Sequence, residues 1–358
     1  MDFLTFILLL AGFAILIGGA ELLVRGAAQL ACDMGISPLV VGLTVVSFGT
    51  SAPELAVSVC SAWKGQAGLA LGNVVGSNIC NILLILGVSA LFAPLVVARQ
   101  VVRLEVPIMI GTALLLMLLS LNGGVERWEG LLMFSCAVVY VAWTVVRSRR
   151  ENSRQSPQCA LSASPRPRRL WQTLQIAAGL AMLGLGSRWL VGGAVSIATF
   201  FGVSDMVIGL TVVAIGTSLP ELATSALAAL RGQRDIAVGN VVGSNIFNIL
   251  VVLGLTAGVA PNAIPVPQQA LMVDLPIMLA ACLACLPIFL TGHRIARWEG
   301  GLFFGYFIAY TLFTVMDTMH HPKMGLFVQA MVFFFIPLTI ITLLLSLWRA
   351  WHRRQLRN

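Results

Sequence analysis

Charge is what this chain has least of. Asp, Glu, Lys and Arg make up 10% of its 358 residues, against roughly a quarter in soluble domains. Hydrophobic residues supply 58%, and mean hydropathy is +0.94. A water-soluble core cannot absorb that much apolar surface, so a soluble globular protein is excluded. Histidine is also scarce. His293, His320, His321 and His352 lie near the ends of apolar runs or in tails, which argues against a membrane enzyme built on imidazole. His320-His321 reads as a solvated loop. The seven cysteines form no secreted-type framework. Cys32, Cys60, Cys80, Cys136, Cys282 and Cys285 sit in or beside apolar runs, and Cys159 sits in an Arg-rich stretch. Cys282-x-x-Cys285 lacks a soluble redox context and reads as small residues packing helices. The first three residues carry no Lys or Arg, and the run they open is too long for a signal-peptide core. That run is expected to remain as a membrane span.

What the chain has in their place is a series of long apolar runs, each near the roughly 20 residues that cross a bilayer core. Backbone groups in lipid must bond internally, so the runs should be helices. Eleven spans are expected, at 3–24, 38–61, 69–92, 103–121, 128–147, 171–192, 205–229, 236–258, 270–290, 299–317 and 325–347. With the N-terminus outside, 18 of the 22 Lys and Arg residues fall on the cytoplasmic side. This is the expected positive-inside bias, and it puts the C-terminus in the cytoplasm. The net charge of +8 is thereby a matter of topology, and no nucleic-acid partner is expected.

A duplication organises the sequence. Residues 42–87 and 209–254 align without a gap at an offset of 167, with 30 of 46 positions identical. The similarity runs on more weakly: Glu105-Val-Pro107 matches Asp274-Leu-Pro276, and Arg127-Trp-Glu-Gly130 matches Arg297-Trp-Glu-Gly300. The repeated unit therefore has five spans. A unit with an odd number of crossings puts its second copy upside down, the inverted arrangement of many secondary transporters, with the site at the repeat interface near the midplane. The expected fold is all-α and integral to the membrane. It has two inverted-topology five-helix repeats, 1–148 and 170–318, joined by a partly disordered Arg/Ser/Pro-rich cytoplasmic linker, 149–169. Residues 319–358 add one extra C-terminal transmembrane helix and a basic tail.

The chemistry lies in the repeated motifs. Glu54 and Glu221 sit mid-span in Gly49-Thr-Ser-Ala-Pro-Glu54 and Gly216-Thr-Ser-Leu-Pro-Glu221. An ionisable group at membrane depth is costly and marks function by default; the alternative is a snorkelling or structurally paired carboxylate. Pro53 and Pro220 each remove a backbone donor and crowd the preceding turn. The carbonyls of Ser47, Thr50, Ala214 and Thr217 are thus candidates to face an ion, as irregular backbone at this depth is tolerated where it lines a cavity. The hydroxyls of Thr50, Ser51, Thr217 and Ser218 lie within a turn of the carboxylates. In the following span of each half, Ser77 and Asn81 share a helix face, as do Ser244 and Asn248. Asn78 and Asn245 lie off that face and read as packing residues. All the candidate ligands are oxygens. Hard cations such as Ca²⁺ take about six to eight of them, Na⁺ accepts the same type, and Zn²⁺ and Cu²⁺ are disfavoured.

At these residues the chain resembles the calcium:cation antiporter superfamily, and most closely the bacterial inner-membrane sodium/calcium exchangers. The resemblance covers about 1–318 and is most specific in the two copies of G-T-S-x-P-E and G-N-V-V-G-S-N-I-x-N-I. It implies that Glu54 and Glu221 coordinate Ca²⁺ with the backbone oxygens of Thr50 and Thr217. It implies Na⁺ sites at Ser47, Ser51, Ser77, Ala214, Ser218 and Ser244 alongside the glutamates. It also implies that spans one and six slide against the rest. Ca²⁺ and Na⁺ are then cargo, and no resident cofactor is expected. One departure matters. Many family members carry Asp at one of the positions that Asn81 and Asn248 occupy here, so this site holds two carboxylates at most. A Ca²⁺/H⁺ or other cation/H⁺ antiporter on the same scaffold is the nearest alternative reading, and a cation channel a more distant one.

Overall fold

The computed structural model describes residues 3–34, 36–155, 166–200 and 214–355. Apart from four two-residue strands, regular structure in the described residues is helical. The chain runs through α1 (Phe3–Met34), α2 (Pro38–Thr50) and α3 (Ala52–Trp63), which form one pair bent by 41° at Ser51. It continues through α4 (Ala67–Phe92) and α5 (Val101–Asn122), α6 (Arg127–Gln155) and α7 (Arg166–Phe200). The short helices α8 (Ala214–Thr217) and α9 (Leu219–Leu230) follow. Then come α10 (Arg234–Val259), α11 (Ala270–Leu290), α12 (Arg297–Thr318) and α13 (Met324–Ser346). Nine of the described helices are long and apolar enough to cross a membrane, and the bent pair makes a tenth. The chain is a multi-span membrane protein. Of the run expected at 205–229, residues 205–213 lie outside the described residues, and α8 and α9 cover the remainder.

Two elements run longer than expected. The first span was placed at 3–24, yet α1 continues to Met34. Arg25 is neutralised by Glu21 one turn earlier, and Ala27 and Ala31 beyond it are fully buried, so a charge that looks like a span end sits inside a packed helix. The second case is the linker. Residues 149–155 continue α6 and 166–169 open α7, so helix enters the expected linker from both sides; residues 156–165 lie outside the described residues.

Burial sorts the helices. The most apolar stretch of α10 is wholly buried, that of α4 is 83% buried, and that of α13 only 6%. α4 and α10 are therefore the centre, and α13 presents nearly all its surface outward. Glycines set the closest approaches. A Cβ on Gly179 of α7 would meet the Gly19 carbonyl of α1 at 2.8 Å, and one on Gly19 would meet the Gly179 carbonyl at 2.8 Å. Gly12 and Gly186 repeat this reciprocal contact further along, so α1 and α7 cross backbone to backbone, as small residues permit. Gly87 packs on Gly300, and Gly254 on Gly130, in the same manner. Two short antiparallel ladders tie the connections together: β1 (Leu95–Val96) with β4 (Arg294–Ile295), and β2 (Gly124–Val125) with β3 (Ile264–Pro265).

Candidate ion site

The two motif glutamates meet at the centre of this bundle. Each stands in the first turn of a helix that restarts after a break. At the break, Ser51 has φ −82° and ψ 3°, and Ser218 has φ −90° and ψ 7°, outside the helical region and in the bridge region. Pro53 and Pro220 occupy the first turns of α3 and α9, where a missing N–H costs nothing. A helix N-terminus also favours a carboxylate. The sequence thus breaks each helix one turn before its glutamate and hands that glutamate a positive dipole end.

The halves then cross-link. Ser51 Oγ donates to Glu221 Oε1 at 3.3 Å, and Ser218 Oγ donates to Glu54 Oε1 at 3.4 Å. Each serine precedes its own glutamate by three residues and serves the other half's. Ser218 Oγ also lies 3.4 Å from Ser77 Oγ, which brings α4 to the same point. All of these side chains are at most 3% exposed, so bulk solvent does not reach them.

Several buried polar atoms here have no hydrogen-bond partner: Glu54 Oε2, Glu221 Oε2, both amide atoms of Asn81, Asn248 Oδ1 and Ser244 Oγ. Folded proteins leave few such groups, and each one costs of the order of 1–3 kcal/mol. The orphans are concentrated around two carboxylates, so oxygens with unused acceptor capacity converge there. The described residues hold no compact group of three or more His, Cys, Asp and Glu side chains, so the two carboxylates must be supplemented by neutral oxygens. Asn81 and Asn248 each open a π-helical turn, Asn81–Leu86 and Asn248–Leu253, an irregularity common at functional positions.

Other expected residues are placed differently. Ser47 is fully buried, but its hydroxyl donates within 2.7 Å of the Gly42 carbonyl and 3.0 Å of the Asn240 carbonyl. The Ser47 carbonyl accepts from the Ser51 N–H at 3.0 Å and from Thr50 Oγ1 at 3.4 Å, so it is already occupied. Thr50 Oγ1 also lies 3.2 Å from Asn240 Oδ1. Asn248 Nδ2 donates to Asn78 Oδ1 at 3.2 Å, which draws Asn78 into the network, whereas Asn245 bonds its own helix at Val241. Thr217 is half-buried at the end of α8, and Ala214 opens that helix.

One pair of asparagines outside the expected ligand set has a structural part in the site. Asn240 Nδ2 donates to Ser225 Oγ at 2.9 Å, and Asn73 Nδ2 donates to Ser58 Oγ at 3.0 Å and to the Glu54 carbonyl at 3.2 Å. These asparagines brace each glutamate helix against the central helix beside it. The signal was present: Asn73 and Asn240 stand four residues before Ser77 and Ser244, and Ser58 and Ser225 four after the glutamates, so each lies on the functional face.

Around the site the packing is asymmetric. α1 lies along α9, and Glu21 of α1 pairs with Arg231 at the end of α9 at 3.0 Å. On the other side, a cavity of about 700 Å³ lies between α7 and the α2–α3 pair. It is lined by Val45, Phe48, Gly49, Thr50, Pro53, Leu180, Leu183, Gly184 and Pro220 among others. It reaches Thr50 and Pro220 without being lined by either glutamate.

Known proteins share this architecture. Residues 4–146 and 171–316 match the family described as sodium/calcium exchanger protein. The putative antiporter CaxA of Alkalimonas amylolytica is 42% identical over 309 residues, covering 85% of this chain and 96% of its own length. The inner membrane protein YrbG of Escherichia coli is 39% identical over 262 residues, covering 72% of this chain and 80% of its own. The solved structure of the sodium/calcium exchanger from Methanococcus jannaschii superposes with a TM-score of 0.74 at 29% identity, covering 86% of this chain and 97% of that one. Two buried carboxylates cross-linked between duplicated motifs, in a bundle of that shape and with that family match over most of the chain, are those of a cation transporter: the chain belongs to the sodium/calcium exchanger family of membrane antiporters.

Proposed function

We propose that this protein exchanges Na⁺ for Ca²⁺ across the membrane by alternating access and so extrudes Ca²⁺ from the cytoplasm. The observation that carries this reading is the reciprocal pair Ser51–Glu221 and Ser218–Glu54, with both Oε2 atoms unpartnered. Hydroxyl–carboxylate bonds usually measure about 2.5–2.7 Å, so these contacts at 3.3 and 3.4 Å are loose. Oxygens held this loosely can close onto a cation. Ca²⁺ would take one oxygen from each glutamate, supplemented by Thr50 and Thr217. Na⁺ would use the same carboxylates with Ser51, Ser77, Ser218, Ser244, Asn81 and Asn248, and with Ser47 and Ala214 at the margins. The two ions then compete for overlapping oxygens. An empty site carries two buried charges, which is costly to move through lipid, so occupancy couples to the conformational step. A ligand shifts that step only by its differential affinity for the two states.

The same reading takes the two halves, 1–148 and 170–318, as inverted repeats. Support comes from exchanged pairings. β1 and β3 are repeat counterparts, as are β2 and β4, and β1 pairs with β4 while β2 pairs with β3. The Gly87–Gly300 and Gly254–Gly130 contacts exchange in the same way. α1 and α7, spans one and six, form the moving pair, and the contact of α1 with α9 opposite a cavity beside α7 is what one end of such a movement would leave. We place the protein in a bacterial-type inner membrane, the setting named for YrbG, with the N-terminus outside and the C-terminus in the cytoplasm. Residues 149–169 link the halves, and α13 is an added span.

The test is uptake of radiolabelled Ca²⁺ into proteoliposomes loaded with Na⁺, with and without an outward Na⁺ gradient, at clamped pH. Uptake that requires the gradient and is lost in Glu54→Gln supports sodium exchange at this site. Uptake that ignores Na⁺ and follows an imposed pH gradient would instead identify a proton-coupled antiporter.

A further inference from the structure

α7, one of the two helices taken above as the moving pair, reaches the second motif through a hydroxyl that its repeat counterpart lacks. Ser187 of α7 is 8% exposed and donates to the Gly216 carbonyl at 2.7 Å. That carbonyl is the one Pro220 orphans, because proline offers no N–H to the residue four earlier. The hydrogen bond thus ties the break before Glu221 to α7. Packing makes the same junction. A Cβ on Gly216 would meet Val191, one turn beyond Ser187, at 2.5 Å, and a Cβ on Gly49 would meet Leu180 at 2.6 Å. In both cases the three nearest atoms belong to α7. α7 therefore fills the glycine notch of each motif, and α1 fills neither.

The offset of 167 carries Gly12 and Gly19 onto Gly179 and Gly186, the reciprocal contacts of the α1–α7 crossing, so the register of the duplication extends through these two helices. It matches Leu180 with Phe13, Val191 with Val24 and Ser187 with Ala20. If α1 and α7 exchange roles, Phe13 and Val24 face the two notches, and a methyl group faces the Gly49 carbonyl that Pro53 orphans. No hydroxyl of α1 closes that break. We propose that Ser187 is a positioning residue that clips α7 to the second motif in this packing alone, so that α7 must release the Gly216 carbonyl in order to slide. The two packings then differ by one hydrogen bond, and the break beside Glu221 responds to where α7 stands. This inference rests on the sliding of α1 and α7 proposed above.

Cross-linking reads the two packings without transport. Glu21 and Arg231 meet in the packing seen; Lys64 and Arg188, at the matched positions, would meet in the opposite one. Each pair is replaced by cysteines in the full-length protein, Glu21→Cys with Arg231→Cys or Lys64→Cys with Arg188→Cys. A short bis-thiosulfonate is added in the absence of Na⁺ and Ca²⁺, and the linked peptides are quantified by mass spectrometry, which separates them from those of native cysteines. Loss of one buried hydrogen bond shifts an equilibrium about fivefold. Ser187→Ala should therefore raise the cross-linking rate of the Lys64/Arg188 pair relative to the Glu21/Arg231 pair by at least about fivefold. Ser187→Thr, which keeps the hydroxyl, should leave that ratio as in the wild type. So should Ser196→Ala, at an exposed serine of α7 that bonds its own helix at Gly192. A general loss of packing would change both rates together and leave the ratio alone. An unchanged ratio in Ser187→Ala, or an equal shift in Ser187→Thr, overturns the proposal while leaving sodium exchange standing. If the wild type takes up no Ca²⁺ in exchange for Na⁺, the exchanger reading fails instead, and the cross-linking ratio still decides the role of Ser187.

Discussion

Replacing Glu54 by Gln keeps the size and shape of the side chain and removes one of the site's two negative charges. Two unit charges about 4 Å apart attract by about 4 kcal/mol at an effective dielectric of 20. A divalent cation doubles that to about 8 kcal/mol, and if dehydration of the ion cancels half, about 4 kcal/mol remains, close to a thousandfold in Kd. Glu54 is 1% exposed, so water does not screen the loss. Ser218 provides the contrast. Its hydroxyl touches Glu54 Oε1 at 3.4 Å, and a hydrogen bond to a charged group contributes about 1.5–3 kcal/mol at good geometry. At this length Ser218→Ala should cost about tenfold. Titration calorimetry with Ca²⁺ on the solubilised protein measures both, and uptake in proteoliposomes should follow the same order. A rise in Kd of less than tenfold for Glu54→Gln, or a larger loss for Ser218→Ala than for Glu54→Gln, would refute the claim that the carboxylate is a direct ligand.

The Asn240 amide contacts Thr50 and Ser225 at once, while its backbone carbonyl, which accepts from Ser47, would survive truncation; Asn240→Ala should cost about 1–3 kcal/mol from groups left unpaired, seen as a lower unfolding temperature together with weaker Ca²⁺ binding. The α1–α7 crossing has no room for a side chain, since a Cβ on Gly179 would sit 2.8 Å from the Gly19 carbonyl. Gly179→Leu should therefore destabilise the protein by at least the roughly 1–3 kcal/mol typical of overpacking, and should stop uptake. Gly192→Ala, where nothing lies within 4 Å, should leave both intact. Finally, two carboxylates balance one Ca²⁺ or two Na⁺, so exchange is expected to be electroneutral. Each net charge moved would contribute about 2.3 kcal/mol per 100 mV, or about 40-fold in the Ca²⁺ accumulation ratio, and a shift of that size under a potassium diffusion potential would require a further Na⁺.

Duplication is why so much of this site could be read without coordinates. A single Glu in an apolar run has a bland explanation in snorkelling, but Glu54 and Glu221 in two copies of one motif do not share it, and the serines three residues earlier were legible with them. What the one-dimensional pattern hid was direction across the interface. Ser51 looks like a partner for Glu54 and serves Glu221, because the helix break at Ser51 turns its hydroxyl away from its own helix and toward the other half. The Ser47 carbonyl looked free for a related reason: proline removes a donor, but the Ser51 N–H takes that acceptor before an ion can. Span ends failed where charge was neutralised locally, as at Arg25 beside Glu21. The asymmetry of the bundle was illegible in the motifs themselves. Two motifs that are nearly identical specify two nearly equivalent packings, α1 on α9 or α7 on α2 and α3, and no residue that they share says which is occupied. A cavity beside α7 with contact beside α1 is one choice between them. Differences at matched positions are where such a choice can be biased, and Glu21 with Arg231 on one side against Arg188 with Lys64 at the matched positions on the other replaces an attraction by a repulsion, which favours the packing seen.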